Sequence, residues 1–264
     1  MNLEQFQPGI TVFETDEFDH IFFASKCLFG NKKRDKIHNV DNEVLVQLKQ
    51  IAYTAGDLSY SRRYGFVGSL AIMIIAENWK QFPDTLNWLK SFALSNSSSR
   101  RRAAVIRALV KNWKDDIEIL FILKRFSHLT KDSVLQRVAL LELATGWKQD
   151  PDTLYLLKTY AQSEDCSDSV RGDLIEKIVE IWTDELWLLD FLLNRAINDP
   201  FIRSPLFRLK QDLDLNPRLR ALNALLTHYP TNPKTLELLR DRATNDSDEQ
   251  LREWATEKLN KMES

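Results

Sequence analysis

Glycine and proline are scarce, with seven and eight residues in a chain of 264. An all-β protein of this length would need many more turn residues, so an all-β fold is excluded. Cysteine is scarcer still. Cys27 and Cys166 stand far apart and form no CxxC, which fits a reduced, cytoplasmic setting better than a disulfide framework. No apolar run reaches the length of a membrane span, and the acidic start, MNLEQFQPGITVFETDEFDH, lacks the layout of a signal peptide. Neither export nor membrane insertion is expected. An excess of one charge is also missing: 36 basic against 38 acidic residues leave −2. No global field draws the chain to DNA or to an anionic membrane. The motifs of common chemistries are absent. There is no HExxH, no GxSxG and no GxxxxGK[ST], and His20, His38, His128 and His228 are scattered. No catalytic residue, metal ligand or cofactor is therefore expected.

What is present is a repeat. NWKQFPDTLNWLKSFA from Asn78, NWKDDIEILFILKRFS from Asn112 and GWKQDPDTLYLLKTYA from Gly146 place Trp79, Trp113 and Trp147 at intervals of 34 residues. Trp182 follows after 35, and Tyr229 takes the same slot after 47. Each copy reads as two helices. The first ends at the aromatic residue, with apolar positions recurring at three and four, as in Val105, Ala108 and Leu109. Asp116, Asp150 and Asn232 fall where they can cap the second helix. Pro83, Pro151 and Pro233 fall at first helical positions, where a missing N–H costs nothing. Leucines recur at 86, 120, 154 and 236, and again three residues on. Residues 1–60 read as a degenerate pair and 61–264 as regular repeats, with an insertion at 199–212. One pair cannot bury its apolar face alone, so stacking is required. The expectation is an all-α, right-handed α-solenoid in a single domain: about five clear pairs, one degenerate N-terminal pair and a C-terminal capping half pair.

The pattern R-x-x-A…L…W-K-x-D-P-x-T-L-x-L-L-K, carried by Trp147 to Lys158 and by the copies around Trp79 and Trp113, resembles the HEAT-like repeats that follow the NACHT module in bacterial, especially cyanobacterial, signalling NTPases. The resemblance covers roughly residues 60 to 260. Without a phosphate-cradling loop, it implies the repeat arm alone, whose role in such relatives is to sense a ligand or partner.

The candidate sites follow from the repeat. A non-catalytic scaffold for a protein partner is the first reading. Its anchors would be Trp88 and Trp187, which lie off the tryptophan register, and the apolar, basic insertion with Phe201, Phe207, Arg203 and Arg208. That insertion equally suits an extra packing element. Trp79, Trp113, Trp147 and Trp182 read as core plugs rather than a base-stacking ladder. The alternative is a nucleic-acid or acidic-ligand surface. It would use a ridge of Lys90, Lys124, Lys158 and Arg240, equivalent positions on successive second helices, together with Arg100, Arg101 and Arg102 beside Arg107, Lys111 and Lys114. Solvated faces explain the same charges. A third reading, a lyase-like or glycosylase-like helical-repeat enzyme, would need an acidic or aromatic pocket.

Overall fold

The computed structural model describes residues 18–29, 38–54, 62–129, 132–203 and 215–263. Among these the chain is all-helical, with thirteen helices and no strand. They are α1 (Asp19–Phe29), α2 (His38–Thr54), α3 (Arg62–Asn78), α4 (Pro83–Ala93), α5 (Ser99–Trp113), α6 (Ile117–Leu129), α7 (Ser133–Gly146), α8 (Pro151–Tyr160), α9 (Asp168–Ile181), α10 (Leu188–Asn198), α11 (Pro217–His228), α12 (Pro233–Asn245) and α13 (Glu249–Glu263). None of the described helices is long and apolar enough to cross a membrane. The chain divides into two compact units, 1–139 and 140–264.

The second helices begin where local chemistry says they should. Asp150 and Asn232 accept from the backbone N–H groups of Asp152 and Lys234, and Asp116 accepts from that of Glu118, so each satisfies a donor that the first turn leaves open. Pro83, Pro151 and Pro233 occupy first-turn positions. Of the recurring leucines, the second set goes fully inside: Leu89, Leu123, Leu157 and Leu239. Each stabilises the fold by about 1.5–3 kcal/mol.

Packing follows one rule in both units. In the first, α3 packs on α1 and α2, and α5 packs on α3 and α4. In the second, α9 packs on α8, α11 packs on α9 and α10, and α13 packs on α12. Each of these first helices thus lies against at least one helix of the pair before it.

A polar residue eleven positions before the aromatic slot ties this packing together. Arg102 donates to the carbonyl of Ala93 at 2.8 Å, and Gln136 donates to that of Ser127 at 3.2 Å. Arg171 donates to the carbonyl of Cys166, Arg218 to those of Asp199 and Phe201, and Arg252 to that of Asp246. Carbonyls at the end of one pair have lost their helical partners. A long cationic or amide side chain from the next helix supplies the missing donors. In the second unit, carboxylates neutralise the buried guanidiniums: Arg171 pairs with Asp199 and Arg218 with Asp246.

Candidate functional site

The lysine row is engaged inside the fold. Lys90, on α4, donates to Asp116 at 2.6 Å and to Glu118 at 2.7 Å, both at the entry to α6. Burial acts to lower its pKa, but the hydrogen bonds it donates to the two carboxylates outweigh it and hold the ammonium above its ordinary value. Asp116 is held below the usual carboxylate range, chiefly by the Lys90 hydrogen bond. Lys158, on α8, reaches the equivalent turn of the following pair. Its Nζ lies 3.2 Å from the centroid of the Trp187 ring, a cation–π contact, and burial pushes its pKa down against the pull of Glu185. Lys124 and Arg240 also have interaction partners. Lys90 and Lys158 are each drawn toward the next pair and work as rungs between repeats.

The arginine cluster separates residue by residue. Arg101 is buried, donating to the carbonyls of Ala52 and Tyr53 and to Ser98 Oγ. Arg102 caps α4 through Ala93 and lies 4.9 Å from the Phe126 ring centroid. Only Arg100 of the three is exposed. A run of three identical residues on a helix cannot share one face, because successive side chains turn by about 100°.

The proposed anchors are partly packed. Trp88 meets Tyr53 and Phe92 edge-on at 5.9 and 5.4 Å, with Lys49 over its ring at 5.3 Å. Trp187 meets Phe191 at 6.1 Å beneath Lys158. Both remain half-buried. At the start of the insertion Phe201 is buried, with the guanidiniums of Arg203 and Arg218 at 5.3 and 5.8 Å from its centroid. Arg203 grips Asp248 with two bonds of 2.7 Å, and Asn216 holds the same carboxylate at 2.8 Å. Phe201 and Arg203 therefore serve packing. Phe207 and Arg208 lie outside the described residues. Of the tryptophan series, Trp79 is fully buried, while Trp113, Trp147 and Trp182 are half-buried.

The sequence reading passed over the residues that the fold leaves outside. On α6, Phe121 is 63% exposed and Ile117, one turn earlier, is exposed beside it. On α8, Tyr155 is 69% exposed. It borders a shallow depression of about 580 Å³ with Lys158, Thr159, Gln162 and Ser163. Phe121 and Tyr155 occupy one repeat position, directly after a recurring leucine. The equivalent residues in the other copies are Asn87, Asp190 and Glu237. Polar residues alternating with aromatics at one register are the available signal for an outward-facing slot.

Among the described residues, no group of three His, Cys, Asp or Glu is placed to hold a metal ion. Cys27 is exposed and Cys166 is buried. Compared with protein-family models, curated proteins and solved structures, the chain finds no match.

Proposed function

We propose that this chain is a non-catalytic protein–protein interaction scaffold, a right-handed α-solenoid of HEAT-like pairs that serves as the sensing arm of a NACHT-type system. The observation that carries the binding role is an exposed large aromatic at the same repeat position in each unit, Phe121 in the first and Tyr155 in the second, each on a helix whose second recurring leucine, Leu123 or Leu157, is fully buried. An exposed aromatic on a rigid helix loses little entropy when a partner covers it, and such residues dominate interface energetics. The repeated carbonyl-capping position supports the solenoid reading, because it gives each pair the same means of receiving the next. The engagement of Lys90 and Lys158 within the fold argues against these two lysines as the binding element.

The test is affinity capture from lysate of the source cell after nuclease treatment, comparing the wild-type chain with Phe121→Ser, Tyr155→Ser and the double variant. A protein partner that is retained by wild type and lost from the double variant, with the circular dichroism spectrum unchanged, supports the reading. A partner retained equally by all four proteins removes these aromatics as the site. The solenoid itself is tested by small-angle scattering. A globular chain of this length has a radius of gyration of about 18 Å, and a solenoid must exceed it clearly.

A further inference from the structure

We infer that Lys158 is a modification site, an amine that takes an acyl group from a thioester. Two lysines at one repeat position differ in what they meet. Counted from the aromatic slot, Lys90 and Lys158 are equivalent. The turn that Lys90 reaches carries Asp116 and Glu118, and the same two positions before Lys158 are Glu185 and Trp187. Lys90 gives its N–H groups to both carboxylates, at 2.6 and 2.7 Å, and its side chain is only 14% exposed. At Lys158 an indole ring takes the place of the second carboxylate, with Nζ 3.2 Å from its centroid. Glu185 is exposed and acts on Lys158 only through its field. Lys158 thus makes no hydrogen bond and no ion pair with any described residue.

The nucleophile of a lysine is its neutral amine. Two bonded carboxylates fix the proton on Lys90, whereas burial without a bonded acceptor favours the neutral form. Burial does push the Lys158 pKa down, while Lys90 is held up. The Trp187 ring attracts the ammonium and opposes this, but less strongly than two carboxylates at bonding distance. Lys158 also has access, because it borders the depression of about 580 Å³ whose other lining residues, Tyr155, Thr159, Gln162 and Ser163, carry no charge. A neutral carbonyl electrophile fits such walls. In the reaction the amine lone pair attacks the thioester carbonyl carbon. A C–N bond forms, the C–S bond breaks, and the thiolate leaves with the electron pair and takes the proton that nitrogen sheds. The product is an amide and a free thiol. The amide can stack on Trp187, whereas an acylated Lys90 would strand Asp116 and Glu118 without their cation. Lys158 lies one turn after Tyr155 on α8, so acylation would remove a positive charge beside the aromatic proposed to meet a partner. The modification itself does not depend on that role.

The experiment incubates the full chain with the acetyl thioester of N-acetylcysteamine at about pH 8, below the ordinary lysine range. Initial acetylation rates are read by quantitative peptide mass spectrometry at Lys158, at Lys90 and at Lys148, an exposed lysine of the same unit. Lys158 is expected to react at least about threefold faster than Lys148 and about tenfold faster than Lys90. Glu185→Gln removes a charge that favours the ammonium and should raise the Lys158 rate by about twofold, with Lys148 unchanged. In urea the three rates should converge. Lys158 reacting no faster than Lys148 overturns the inference. So does a Lys158 rate that does not rise in Glu185→Gln, or a ranking that persists in the unfolded chain, which would assign it to local sequence and not to the fold.

Discussion

Arg171 grips Asp199 with both ends of its fork, Nε to one carboxylate oxygen at 2.8 Å and Nη2 to the other at 3.0 Å, and both side chains are buried. The third donor, Nη1, goes to the Cys166 carbonyl. The pair joins the first turn of α9 to the residue that ends α10. Truncating one partner leaves the other charged and buried. Arg171→Met is expected to lower unfolding stability by about 3–5 kcal/mol, read by urea denaturation. Arg171→Met/Asp199→Asn should lose less than the sum of the single variants. Additivity would show that the two side chains are not energetically coupled.

The three adjacent arginines should respond differently to the same substitution. Arg100→Glu changes an exposed side chain and is expected to shift stability by no more than about 1 kcal/mol. Arg101→Glu places an anion against two carbonyl oxygens in a buried site and should lose more than about 3 kcal/mol. Thermal melting of the two variants side by side checks this. Equal effects would contradict the burial of Arg101.

Thr85, Thr153 and Thr235 stand at one repeat position and are buried, with hydroxyls that find no hydrogen-bond partner in the protein. The equivalent residues in the remaining copies are Ile119 and Leu188, also buried. The site therefore accepts an aliphatic side chain. Thr153→Val, which keeps the shape and removes the hydroxyl, should stabilise by about 1 kcal/mol, raising the melting temperature by about 2–4 °C. A lower melting temperature would mean that the hydroxyl is satisfied.

Acid should weaken the fold through two carboxylates. Asp116 is held low mainly by the Lys90 hydrogen bond. Asp248 feels burial, which acts to raise it, but the hydrogen bonds from Arg203 and Asn216 prevail and lower it. A depressed folded-state pKa contributes stability that is present above the unfolded value, near 4, and is lost as pH falls through the folded value. Urea midpoints should thus fall on acidification below about pH 4. Asp248→Asn should flatten part of that dependence while lowering stability at neutral pH. An unchanged acid limb in this variant would remove Asp248 as a contributor.

The cysteines give a base-side counterpart. Burial pushes the Cys166 thiol up to about 11, against the pull of Arg171. An unfolded thiol ionises earlier, so stability should decline as pH rises from about 9 toward 11. With a chromogenic disulfide reagent, Cys27 should react promptly and Cys166 only at the unfolding rate. Two prompt thiols would contradict the burial of Cys166.

The helices of this protein are written locally. A proline at a first helical turn, an Asp or Asn before it, and apolar residues at three and four act on their own few residues, so the paired helices from Trp79 onward can be read from the chain alone. The aromatic slot and the buried second leucine belong to the same local code. The fate of each charge is a different matter. Lys90 meets its carboxylates 26 and 28 residues away, Arg101 meets its carbonyls 48 and 49 residues back, and Arg171 and Arg218 each meet an aspartate 28 residues on. No local rule separates these side chains from Arg100, Arg107 or Lys114, which are exposed. Identical cations along the chain become rungs, caps or exposed charges according to which neighbour the packed helices bring within about 3 Å, because hydrogen bonding and desolvation act through space and not along the sequence.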